Sequence, residues 1–145
     1  HAPCRELPGL GPVRRAVNGW VGVLPVGSAT AWVRVPDRRS EPDPESVALL
    51  RRLGARLEGG LDHLAVSLLR SGALEELGTD APPDVQDLAG SLELISVTVS
   101  RRRNGVCRLE LSTSWEPGLP WEIELDRDLS LRHAGRSTRL RGPIT

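Results

Sequence analysis

Apolar and polar residues alternate along the C-terminal third of the chain with a period of two, which is typical of strands that bury one face. Four such strands are predicted, at residues 95–100, 107–112, 121–126 and 129–133. An Asn-Gly pair predicts a tight turn between the first two strands. The alternation therefore predicts an antiparallel sheet with one packed face and one charged face.

The N-terminal part of the chain shows the same alternation before any helical pattern begins. Residues 13–17 and 20–26 flank another Asn-Gly pair and predict a hairpin, and residues 29–35 predict a third strand. Glycine and proline are frequent before this hairpin, so residues 1–11 are predicted to form an irregular lead. Residues 136–145 are predicted to form an irregular tail.

A change of period in the middle of the chain predicts two helices. The segment Asp43-Pro44-Glu45 supplies an N-cap, a first-turn proline and an early acid, which together mark a helix start. Apolar residues then recur at spacings of three and four, at Val47, Leu50, Leu53 and Leu57. A Gly-Gly pair ends this helix, and a second amphipathic helix is predicted from residue 61 to about residue 77.

The element types are segregated along the chain, in the order three strands, two helices and four strands (βββ-αα-ββββ). This order favours an α+β fold over a doubly wound nucleotide-binding fold, in which strands and helices alternate. The sequence therefore predicts one domain over residues 1–145, with a mainly antiparallel sheet of about six to seven strands. The two central helices are expected to pack on one face of that sheet.

The charge balance gives no general attraction to anionic partners. All 19 basic residues are arginine, and 19 aspartates and glutamates balance them to a net charge of zero. Nucleic acid is therefore disfavoured as a partner, and an anionic membrane surface likewise. No apolar run approaches the length of a membrane span and the N-terminus lacks a signal-peptide pattern, so a cytoplasmic protein is expected. A signal removed before His1 is an alternative that the sequence leaves open.

The two cysteines, Cys4 and Cys107, are far apart in the sequence and form no disulfide framework or metal-binding pattern. We therefore expect two free thiols. Cys107 falls on the apolar side of its strand, so burial should make its thiol chemically inert.

The usual motifs of catalysis and cofactor binding are absent from the sequence. Its three histidines, His1, His63 and His133, match no zinc-binding spacing. No Gly-x-Ser-x-Gly elbow marks a nucleophile, and a phosphate loop with the usual lysine is excluded because the chain contains no lysine. No catalytic residue, metal ligand or cofactor is therefore assigned, and an enzyme is not favoured. The alternation places His133 on the apolar side of the last strand.

The charged face of the predicted sheet is the main candidate for a binding surface. Paired glutamates there could perform acid-base chemistry, but arginines of the same parity favour a cross-strand charge ladder. A basic hairpin tip and a tryptophan beside the Pro-Gly crossing add to the candidate surface. Its predicted members are Arg101, Arg102, Arg103, Arg108, Glu110, Trp115, Glu122, Glu124 and Arg132.

The layout resembles that of small uncharacterised bacterial α+β domains, some of which are grouped with the immunity proteins of polymorphic-toxin systems. The resemblance rests on the early strand pair with Trp20, on the central helices and on the ending Trp115-Glu116-Pro117-Gly118-Leu119, followed by residues 122–125 and 129–131. It spans most of the chain. It implies a protein that works by occupying another protein's surface, and it implies no catalytic residue.

The sequence thus favours a non-enzymatic protein-binding domain, of immunity or accessory type, that recognises another protein through the charged sheet face. One alternative is a small hydrolase or metal-dependent enzyme that uses Glu122, Glu124 and His133. Another is a structural subunit that forms a homodimer by pairing an edge strand, either among the N-terminal strands or at residues 129–133.

Overall fold

The structure of the protein is a computed structural model, and it describes residues 3–76, 82, 84–100 and 106–137. The strands are β1 (Cys4–Leu7), β2 (Gly11–Ala16), β3 (Gly19–Val26), β4 (Ala29–Val35), β5 (Asp37–Arg38), β6 (Glu41–Pro42), β7 (Leu92–Ser100), β8 (Val106–Thr113), β9 (Trp121–Leu125) and β10 (Leu131–Arg136). The helices are α1 (Pro44–Leu57), α2 (Asp62–Ser71), α3 (Ala73–Glu76) and α4 (Val85–Ser91).

Two antiparallel meanders join to form one eight-stranded sheet, in the order β1-β2-β3-β4-β7-β8-β9-β10. The junction is the only parallel pair of this sheet as described, with Trp32 of β4 opposite Ser96 of β7. A parallel pair needs a long crossover. All four described helices lie in the segment between β4 and β7, so this crossover supplies the helical layer. Strands β5 and β6 form a separate two-stranded ribbon.

Local sequence explains where α1 begins and how closely it approaches the sheet. The buried Asp43 carboxylate caps the helix by accepting hydrogen bonds from the Ser46 backbone N–H (3.1 Å) and the Ser46 hydroxyl (2.7 Å). Gly54 faces the sheet, and a Cβ at this position would lie 3.0 Å from Leu24 Cδ1. The small residue therefore allows α1 to pack directly on β3. Within the described residues, no helix has the length and apolar character needed to cross a membrane.

The core lies between the helices and one face of the sheet. Alternate residues of the strands point into it, and its largest fully buried side chains include Trp20, Trp121, Leu109 and Ile123. The Trp20 indole N–H donates a hydrogen bond to Asp37 Oδ1 (2.8 Å), which satisfies the one polar group of this buried ring. The same bond holds the pKa of the Asp37 carboxyl below its ordinary value.

The α+β class with a mostly antiparallel sheet is confirmed, but the predicted element count was too low. The main sheet has eight strands rather than six to seven, and the structure describes four helices rather than two. Strand β1 lies inside the predicted irregular lead, and β10 extends to Arg136 in the predicted tail. Strand β1 and helices α3 and α4 are short, four to seven residues, so none shows a full period of apolar residues.

Left-handed backbone explains two shifted boundaries. Gly72 has a φ of 74° and ends α2 at Ser71, so the predicted second helix is divided. Leu129 has a φ of 63°, which is incompatible with an extended strand, and β10 begins at Leu131 instead of Leu129.

Candidate functional site

The face of the sheet that points away from the core carries the candidate functional residues. Strand register defines this open face, because side chains directly opposite each other on neighbouring strands point to the same side. One row across the sheet consists of Cys4, Arg14, Val21, Arg34, Thr98, Arg108, Glu124 and His133. The adjacent row consists of Val23, Trp32, Ser96, Glu110, Glu122 and Gly135.

The β2–β4 part of the open face is apolar and basic. Trp32 is 62% exposed and Val23 is 38% exposed, although both belong to central positions of long strands. With Val21 they line a shallow groove of about 380 Å³ that Arg14 borders. Arg34 adds a second cation, and its guanidinium donates a hydrogen bond to the Val17 carbonyl (2.8 Å). An exposed tryptophan beside arginines is a combination that protein interfaces favour.

The β8–β9 part of the open face is acidic. Arg108 lies between two glutamates, with its Nε 3.0 Å from Glu122 Oε1 and its Nη2 3.7 Å from Glu124 Oε1. The Arg108 N–H at Nε has no well-aligned acceptor among the described residues, so the contact with Glu122 is an ion pair rather than a hydrogen bond. Glu110, opposite Glu122, adds a third carboxylate. The predicted cross-strand charge ladder is therefore present.

Two other predicted members of the site, Arg132 and Trp115, do not join this ladder. Arg132 is exposed but lies at a register shift in β10, so it has no partner position on β9. Trp115 packs edge-to-face against the buried Trp121, with ring centroids 5.7 Å apart, and this contact places it beside the core. The predicted basic tip, Arg101–Arg103, lies outside the described residues.

The expectation that His133 points into the core was wrong. The register shift between Leu131 and His133 moves the histidine to the other side of the sheet, where it is exposed opposite Glu124. The three residues of the enzyme alternative therefore share one face. The two carboxylates of that alternative, on Glu122 and Glu124, are already paired with Arg108. Among the described residues, no group of three or more histidine, cysteine, aspartate or glutamate side chains is placed to hold a metal ion.

Neither cysteine forms a disulfide, as expected, and the two thiols differ in environment. Cys4 is exposed on the edge strand β1, whereas Cys107 is fully buried. Burial raises the pKa of the Cys107 thiol to about 12, against a smaller opposing effect of the nearby Arg52 charge. Because the thiolate is the reactive form, Cys107 should be inert in the folded protein.

We expect a thiol reagent such as Ellman's reagent to distinguish the two cysteines at pH 8. Cys4 should react rapidly in the native protein, and Cys107 should react only after unfolding in urea. The Cys4→Ser variant is the control, since it should show no rapid reaction. Rapid reaction of this variant under native conditions would contradict the described burial of Cys107.

Comparison of the chain with protein-family models, with curated proteins and with solved structures finds no match. The geometry of the open face is therefore the basis for a functional proposal.

The apolar and basic part of this face was not predicted, although the sequence contains a signal for it. In Ala31-Trp32-Val33-Arg34-Val35, Trp32 shares its parity with Arg34, and the three small apolar residues occupy the opposite parity. Those three residues are buried, and Trp32 is not. A tryptophan on the polar side of a strand thus indicated an exposed aromatic position.

Proposed function

We propose that this protein is a non-enzymatic protein-binding domain and that the open face is its contact surface. The observation that carries this proposal is the exposure of Trp32, which is 62% accessible in the middle of the sheet. Burial of a tryptophan ring gives a large gain in hydrophobic free energy, and tryptophan and arginine are the residues most often found at the energetic centre of interfaces. A second surface that covers Trp32 would supply this gain.

The charged residues around Trp32 give such an interface its specificity. The pairing of Arg108 with Glu122 and Glu124 holds these side chains in a fixed arrangement on the face. Fixed charges contribute mainly to the orientation and rate of association, whereas apolar contacts supply most of the affinity. These properties are consistent with an immunity or accessory role in the cytoplasm, in which the domain occupies the surface of another protein. Apolar contacts would supply the affinity of that contact, and the charges would set its orientation.

Charge reversal on the acidic part of the face should weaken binding without unfolding the domain. We expect the variant Glu122→Arg/Glu124→Arg, used as bait for affinity capture from a lysate of the source organism, to retain roughly tenfold less of its partner than the wild type. The partner of the wild-type bait should also be released at high salt, because exposed charges are screened.

The matched control is Glu45→Arg/Glu58→Arg, which reverses two exposed glutamates at the two ends of α1. This control should capture the partner as the wild type does. Equal retention by both reversed baits, with folding verified by circular dichroism, would remove the acidic part of the open face from the proposal.

A further inference from the structure

The open face is divided into two parts of opposite charge. Its basic half, on β2–β4, carries Arg14 and Arg34 around the exposed Trp32. Its acidic half, on β8–β9, carries three glutamates and one arginine: Glu110, Glu122, Glu124 and Arg108. Counted over these strands alone, the formal charges are +2 and −2, and the two parts lie on opposite sides of the junction between β4 and β7. Glu6 of β1, which has the same parity as Cys4, adds an exposed acid at the outer edge of the basic half.

We infer that a second copy of this chain occupies the open face, so that two sheets pack face to face about a two-fold axis parallel to the strands. This inference rests on the proposed function, since it names the partner of the same surface. It also differs from dimer formation by edge-strand pairing, because the side chains of the face, and not the backbone of β1 or β10, form the contact.

The strand order determines which residues meet in this arrangement. With the axis between β4 and β7, strand β4 of one copy covers β7 of the other, and β2 covers β9. Arg14 of β2 and Glu124 of β9 belong to the same row across the sheet. Arg14 of each copy therefore lies over Glu124 of the other, which gives two symmetric contacts between opposite charges.

Charge selects this arrangement over the other aligned packing of two sheets. Face-to-face sheets keep their strands within about 30° of each other, which allows a two-fold axis either parallel or perpendicular to the strands. A perpendicular axis would place β8 and β9 over their own counterparts, with Glu122 of one copy over Glu124 of the other. Such like-charge contacts in an interface are unfavourable. The same axis would also place Arg108 of one copy over Glu110 of the other, so its like-charge contacts would offset its favourable contacts. The parallel axis gives the two contacts between Arg14 and Glu124 with no like-charge contact beside them.

The centre and the size of the face also suit a second copy. Trp32 lies on β4 next to the axis, and β7 of the other copy presents the small side chains Ser96 and Thr98 to it. Eight strands about 4.8 Å apart and about 20 Å long give a face of roughly 750 Å². A stable interface of standard size buries about 800 Å² per partner. The outline of the face is therefore of about the size that an interface of standard area requires.

Sedimentation velocity over a range of protein concentrations, with three charge variants, tests this inference. We expect Arg14→Glu and Glu124→Arg each to weaken the dimer about tenfold or more, because each places like charges in two symmetric contacts. The double variant Arg14→Glu/Glu124→Arg should restore the wild-type dissociation constant to within about threefold. An equimolar mixture of the two single variants should also form dimers, because each supplies the charge that the other lacks.

The off-face variant Glu45→Arg should dimerise like the wild type, and circular dichroism verifies that every variant is folded. A monomeric wild-type protein at all concentrations would overturn the inference. So would a dimer that the single variants do not weaken, or weakened variants that neither mixing nor the double change restores. If the wild type is monomeric yet captures a different protein through Trp32, the proposed function stands and only the inference fails.

Discussion

Replacement of Trp32 by serine should leave the fold intact and remove most of the binding affinity. The ring is 62% exposed in the free domain, so its loss should change the free energy of unfolding by no more than about 0.5 kcal/mol. If Trp32 is the centre of the interface, the same change should weaken binding by roughly 30-fold or more. Urea unfolding measures the first quantity, and a binding titration with the captured partner, or sedimentation of the domain itself, measures the second.

Leu119→Ser is the matched control for this prediction. Leu119 is 52% exposed and lies between β8 and β9, outside the open face. Its replacement also removes an exposed apolar side chain, so it reproduces the general loss of surface hydrophobicity. Binding should be unchanged in this control. Equal losses of affinity in the two variants would show that non-specific hydrophobic contact, rather than the open face, accounts for the association.

Replacement of Trp20 by alanine should mainly destabilise the fold, whereas replacement of Trp32 should mainly weaken binding. This ring is fully buried, its N–H donates to Asp37 and the guanidinium carbons of Arg5 and Arg15 lie 5.5 and 5.9 Å from its centroid. Removal of a buried aromatic side chain leaves a cavity and costs about 3–5 kcal/mol. Urea unfolding monitored by circular dichroism should show this loss.

The variant Trp20→Phe separates ring packing from the hydrogen bond to Asp37. It keeps most of the buried surface, so its loss of stability should be clearly smaller than that of Trp20→Ala. In the wild type the lowered pKa of Asp37 adds stability above the ordinary carboxyl pKa, and this part is lost as the pH falls through the lowered value. As the pH is lowered, the free energy of unfolding of Trp20→Phe should therefore decrease less than that of the wild type. Equal stability of Trp20→Ala and the wild type would contradict the described core.

The elements that the sequence predicted well are those with a strong local signal. The third predicted strand, residues 29–35, coincides with β4, and the Asn-Gly turn before β3 is present with Asn18 at a φ of 66°. The start of α1 after Asp43 agrees with the capping pattern. In each case propensity, turn chemistry and apolar spacing indicate the same structure within a few residues.

The features that the sequence analysis missed depend on contacts between distant segments. The register shift that exposes His133 arises where β10 pairs with β9, and no residue pattern within 129–133 indicates it. Strand β1 is held by pairing with β2 and by the ion pair between Arg5 and Glu41 (2.7 Å), which lie far apart in the chain. The parallel pairing of β4 with β7 joins the two meanders, and it alone places Trp32 on the same face as Glu122.

Hydroxyl-radical footprinting of Trp32 in the free and the bound protein shows whether the open face is the binding surface. Free protein at low concentration should show rapid oxidation of Trp32, because its ring is exposed, and slow oxidation of the fully buried Trp20 and Trp121. If the open face is the binding surface, Trp32 becomes protected when the complex forms, while Leu119 remains as reactive as before. Unchanged oxidation of Trp32 in a fully formed complex would contradict this prediction.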